Sequence, residues 1–168
     1  MPKALLVIDM QNICVGKNNA KIFNYDKDKL ITDINKKISS YDKNNVIYIC
    51  NIMKKNFINL FAPFKAYEGT EEVKLVDTLY VVNDLIIKKY SGNAFSNPEL
   101  NKILKDKNID ELELVGVDGG GCVALTALGA LKLGYKVTIP KSLVGTTFTK
   151  QADKYNIKLT KMGVIWKN

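Results

Sequence analysis

Histidine and arginine are both missing from this 168-residue chain. Without histidine, the usual tetrahedral Cys/His zinc sites are excluded, and so is any Ser-His or Cys-His catalytic pair. A catalytic base, if one is needed, is a carboxylate or a lysine. Without arginine, all 25 basic residues are lysine, and the residue favoured for bidentate phosphate and base recognition is absent. The net charge of +8 is spread along the whole chain among many asparagines. It reads as a solvated surface, and no nucleic-acid partner is expected. The three cysteines, Cys14, Cys50 and Cys122, form no C-x-x-C pair, which again leaves no metal site to expect. No apolar run approaches the roughly 20 residues of a membrane span. The opening MPKALLVIDMQN has an apolar stretch of only Ala4 to Ile8 and no cleavage-site pattern, so it reads as a first strand and no signal peptide. No G-x-G-x-x-G follows that strand, which argues against a dinucleotide cofactor. The expectation is a single cytoplasmic domain over residues 1–168, with neither cofactor nor membrane partner.

The most informative stretch is ELELVGVDGGGCVALTALGALKLGYKVTIP, residues 111–140. Glu111 to Val117 alternates and then runs apolar, as a buried parallel strand does. Asp118 to Gly121 supplies a turn with three glycines, which allow close backbone approach. Cys122 to Leu133 is apolar nearly all round and predicts a buried helix, closed by Gly134 at C′. Lys136 to Ile139 starts the next strand. Cys122 thus falls at the tip of a buried helix, at the carboxyl edge of a parallel sheet, where α/β folds bind ligands. Helix-end amides and dipole would lower a thiol pKa of about 8.5 there and could hold an oxyanion. The competing reading is an inert core cysteine.

The rest of the chain alternates in the same way. Ala4 to Ile8 ends in Asp9, a carboxylate at a strand end. Residues 15–28 read as a surface loop. A helix capped by Asp26 or Asp28 turns Leu30, Ile31, Ile34 and Ile38 inward, and Val46 to Ile52 makes a second strand. Residues 53–83, with Pro63 and Gly69, predict a long irregular loop of the kind that often covers a site. Leu85 to Ile87 forms a third strand running into Lys88 and Lys89. Asn97-Pro98-Glu99 opens another helix with proline at N1; a helix around 149–156 and a strand at Val164 to Trp166 complete the chain. The pattern predicts a three-layer α/β/α sandwich with a mainly parallel, about six-stranded, Rossmann-like sheet.

Three segments together, LLVIDMQN, IIKKYSGNAFSNPEL and VGVDGGGCVALTALGALKLGYKV, resemble the isochorismatase-like cysteine hydrolases, the superfamily of nicotinamidases and N-carbamoylsarcosine amidases. AYEGTEEVKLVD is similar to the family's Gly-Thr segment, and the likeness spans almost the whole chain. The resemblance implies an Asp-Lys-Cys triad of Asp9, Lys89 and Cys122, with the backbone amides of Asp118 and Cys122 as oxyanion hole. It also implies a cis peptide between Val117 and Asp118. The implied reaction is cleavage of a non-peptide C–N bond in a small amide or carbamoyl compound through a thioester; a non-catalytic scaffold with a vestigial triad is the alternative. Spacing from Ala94-Phe95 favours Lys89 over Lys88, and strand alternation lets only one of them face the site. Metal-binding nicotinamidases use several histidines, so nicotinamide becomes a less expected substrate. True isochorismatases lack the cysteine, which turns the expectation toward acyl chemistry. Phe57, Phe61, Phe64 and Tyr67 are candidate pocket walls or plain core. A homo-oligomer is expected from the resemblance alone.

Overall fold

The apolar runs become the inner strands of one sheet. The computed structural model describes residues 2–56, 59, 61–62 and 64–168. Among these, seven strands pair in parallel: β1 (Lys3–Ile8), β2 (Val46–Asn51), β3 (Ile86–Lys89), β4 (Glu111–Val117), β5 (Lys136–Pro140), β6 (Val144–Gly145) and β7 (Ile165–Lys167). Their spatial order is β3-β2-β1-β4-β5-β7, with β6 pairing the end of β4. Parallel neighbours need crossover connections, and α1 (Asn12–Val15), α2 (Lys27–Ser39), α3 (Pro98–Asp106), α4 (Cys122–Lys132) and α5 (Thr149–Lys161) lie in or after them.

Side chains alternate across the sheet and build two cores. Leu5 and Val7 face Leu30, Ile34 and Ile38 of α2. Ala4, Leu6 and Ile8 face Leu100 and Leu104 of α3, Ala127 of α4 and Leu159 of α5. The helices start where capping chemistry allows: the Asp26 side chain accepts from Lys29 N–H, and Asn97 accepts from Glu99 N–H one residue ahead of Pro98. The result is the three-layer sandwich expected.

Some boundaries differ. α5 runs to Lys161, because Ala152 and Leu159, seven residues apart, both bury on one face of an otherwise polar helix. β3 takes in both lysines, and β7 starts and ends one residue later than read. After Asp9 the chain makes the short turn α1, which buries Ile13, Cys14 and Val15. The 15–28 stretch is no plain surface loop, since Phe23 folds inward. At Gly116, paired with Ile8, a Cβ would stand 2.0 Å from the Ile8 carbonyl oxygen and φ is +113°, so only glycine lets β1 and β4 approach this closely.

One buried charge sits away from the carboxyl edge. Glu113 of β4 is enclosed; it accepts from Lys3 at 2.8 Å and from the Tyr41 hydroxyl, and Lys37 forms an ion pair with it at 3.2 Å. Burial alone would push its carboxyl up; Lys3, Tyr41 and Lys37 outweigh that and hold it at about 2. A depressed acid contributes stability above its unfolded pKa and loses it as pH falls through the folded one. Glu113→Gln should therefore cost roughly 2–3 kcal/mol at neutral pH. The gap from wild type should close between pH 4.5 and 2. Denaturant melts across that range check it; a pH-independent gap would refute the ion cluster as its source.

Candidate active site

Asp9 follows β1, Asn51 and Lys89 end β2 and β3, and Cys122 opens α4. All four therefore meet at the carboxyl edge of adjacent strands. β3 alternates exposed and buried, so Lys89 points inward with Ile87 while Lys88 points out. The Lys89 ammonium is fully buried and donates to Asp9 Oδ2 at 2.9 Å, Asn51 Oδ1 at 3.1 Å and Cys122 Sγ at 3.1 Å. Lys88 instead bonds Glu68 Oε1 at the surface. Asp9 is buried at φ +53°, a left-handed conformation uncommon outside glycine, where strain marks functional segments. Its Oδ1 has no hydrogen-bond partner among the described residues.

The turn before Cys122 is pinned by the Asp118 side chain. Asp118 Oδ1 accepts from Gly120 N–H at 2.7 Å; Oδ2 accepts from Thr147 N–H at 2.5 Å and Tyr25 Oη at 3.0 Å. The Asp118 carbonyl accepts from Gly121 and Val123. The backbone N–H groups of Asp118 and Cys122 donate to nothing among the described residues, as an oxyanion site requires. The Val117–Asp118 peptide is cis.

Asp9, Asn51, Asp118 and Cys122 line a cavity of about 110 Å³, whose other walls include Phe23, Tyr25, Phe64 and Phe148. Phe23 packs on Tyr25, Phe64 and Phe148 at ring-centroid distances of 5.9, 5.1 and 6.5 Å. Larger clefts elsewhere contain neither Asp9 nor Cys122. Of the aromatic walls read from sequence, Phe64 lines the cavity. Phe61 is largely exposed, Tyr67 lies under the Lys55 ammonium, and Phe57 lies outside the described residues.

The sequence profile of the Isochorismatase domain matches residues 3–165. The chain belongs to the isochorismatase family. It is 27% identical over 157 residues to the isochorismatase family protein YddQ of Bacillus subtilis, covering 92% of this chain and 83% of that one. Its fold matches an isochorismatase-like hydrolase from Alkaliphilus metalliredigens with a TM-score of 0.85 at 25% identity, covering 99% and 95% of the two chains. It also matches N-carbamoylsarcosine amidase from Thermoplasma acidophilum with a TM-score of 0.83 at 21% identity, covering 100% and 96%.

The charge state of this isochorismatase-family site differs from the sequence expectation. The Cys122 thiol is not lowered. Burial and the Asp9 carboxylate push it up to about 12, outweighing the opposing pull of Lys89. A helix terminus contributes only fractional charge, whereas Asp9 contributes a full one in a dry setting. For Lys89, burial acts downward, yet Asp9 and Cys122 outweigh it and raise the ammonium's pKa. The resting site is therefore a lysine–aspartate ion pair beside a neutral thiol. Among the described residues no three Cys, Asp or Glu side chains cluster as metal ligands.

Asn51, Gln11 and Tyr25 escaped the sequence reading. Gln11 is fully buried and ties β1 to β2, accepting from Asn51 N–H at 2.8 Å and donating to the Asn51 and Val73 carbonyls. The signal available was position: Asn51 ends an apolar strand just as Asp9 follows one.

This charge balance makes an opposed pair of expectations. Wild-type Cys122 should alkylate with iodoacetamide at a rate that keeps rising through alkaline pH without an early plateau. Asp9→Asn removes the charge that holds the thiol up, so its labelling at neutral pH should be faster, read by peptide mass spectrometry. Slower labelling in that variant would contradict the assigned balance.

Proposed function

We propose that this protein is a metal-independent cysteine hydrolase that cleaves the C–N bond of a small amide or carbamoyl compound. The observation carrying this reading is that one buried ammonium bonds both Asp9 and Cys122 beside a small cavity. The fold likeness to an N-carbamoylsarcosine amidase is in keeping with it.

Because the thiol rests neutral, the chemistry starts with proton transfer. Asp9 takes the Cys122 proton as sulfur attacks the carbonyl carbon, and the Lys89 charge passes from pairing Asp9 to pairing the sulfur. The carbonyl π electrons move to oxygen, which the Asp118 and Cys122 amides receive. Protonated Asp9 gives its proton to the leaving nitrogen, the C–N bond breaks, and a Cys122 thioester remains. Water then loses a proton to Asp9 and adds to the thioester; collapse expels sulfur, which takes the proton back. The products are the acid and ammonia or an amine.

Ammonia release from a panel of small amides and carbamoyl compounds tests the reading. Cys122→Ala should fall to background while melting like wild type. Lys89→Ala should lose at least about 100-fold in kcat, as when a key electrostatic stabiliser is removed. Lys88→Ala should stay within roughly twofold, since its partner is exposed. Full activity in Cys122→Ala, or equal mild effects from both lysines, would overturn the mechanism.

A further inference from the structure

Counting the hydrogen-bond donors around the cavity singles out one side chain. Lys89 has three N–H bonds and spends all three on Asp9, Asn51 and Cys122. Gln11 spends both amide hydrogens on the Asn51 and Val73 carbonyls. The Tyr25 hydroxyl goes to Asp118. Cys14 offers only a weak S–H. Asn51 is different. An ammonium can only donate, so the atom facing Lys89 must be the Asn51 oxygen, and this fixes which way the amide lies. Its nitrogen is left over. It has no partner among the described residues and is not fully enclosed, and Asn51 is one of the residues lining the cavity.

Resting on the amidase reading above, we infer that Asn51 is a specificity-determining residue: its amide nitrogen donates to a second acceptor on an uncharged amide substrate, apart from the scissile carbonyl. The backbone amides of Asp118 and Cys122 take the carbonyl; Asn51, held by Gln11 and Lys89, takes the other acceptor. The absence of charge follows from the lining. Its acidic side chains are Asp9 and Asp118, no lysine lines it among the described residues, and Lys89 behind it has no N–H left unpaired. An anionic substrate would meet the Asp118 carboxylate and an Asp9–Lys89 pair already matched in charge, with no free cation to receive it. A site built around a donor discriminates against a ligand that leaves that donor unpaired.

The test uses benzamide and its three ring-nitrogen isosteres, picolinamide, nicotinamide and isonicotinamide, which share one shape and differ in the acceptor. Each is scored on the full chain by protection of Cys122 from iodoacetamide at alkaline pH, and separately by ammonia release. In wild type, at least one nitrogen-bearing amide should protect about tenfold better than benzamide, the worth of one good hydrogen bond. Asn51→Leu should bring that ratio to within about twofold, with each variant's protection read against its own ligand-free labelling rate because the change also removes a Lys89 partner. Asn51→Asp, which keeps an oxygen for Lys89 but removes the donor, should do the same. A residue that only shapes the wall would move all four amides alike. Equal protection by all four in wild type, no protection by any, or an undiminished ratio in both variants overturns the inference. Protection without ammonia release would count against the amidase reading alone, because the protection ratio is read without turnover.

Discussion

A lysine ammonium with no access to water is the constraint on which the rest of the site depends. Taking such a charge out of water is expensive, and proteins tolerate it only with close, well-directed partners. Lys89 has three, one for each N–H, and they come from the ends of β1 and β2 and from the start of α4. The ammonium thereby dictates where those segments must meet. Its single positive charge is also matched by a single negative one. Asp9 holds that negative charge at rest, and sulfur can hold it only once Asp9 has accepted a proton. Burial first, and then this charge balance with Asp9, explain why a thiol beside a cation and a helix terminus nevertheless sits high.

The second core element is the close packing that brings the two halves of the site together. β1 and β4 lie side by side with Gly116 against Ile8, which sets Asp9 next to the turn that follows Val117. On the far side, three aromatic rings pack around Phe23 and narrow the cavity to about 110 Å³. Asp9, Asn51 and Lys89 are held at strand ends and Cys122 at a helix start, whereas the wall comes largely from loops. This division is common where one scaffold positions reactive groups and connecting segments choose the ligand.

Legibility followed the same division. The apolar runs of β1, β2 and β4 and the all-round apolar α4 were plain in sequence, because burial on both faces leaves an unbroken hydrophobic signature. Inward Lys89 was separable from outward Lys88 by strand alternation together with family spacing. The aromatic wall was legible only at Phe64. Phe23 and Tyr25 sit in a polar stretch with no periodicity; Phe23 packs on Phe64 and Phe148 far along the chain, and Tyr25 on Phe23 and Asp118. Asn51 was hidden for another reason: a neutral amide carries no reactive signature, and its part emerges only from which atoms lie beside it. The thiol's charge state was misread because sequence shows the helix end but not the depth of burial or the closeness of Asp9.

The Asp118 carboxylate has a wider consequence. It grips Gly120 within its own turn, Thr147 after β6, and Tyr25 more than ninety positions earlier in the chain. The backbone of the turn and one aromatic wall therefore share an anchor, and displacing either pulls on the other. Substitutions on different sides of the cavity are thus unequal in their effect on the turn. Changes near Tyr25 disturb the turn, while the segment around Phe64 and Ala66 borders the same cavity without a bond to Asp118.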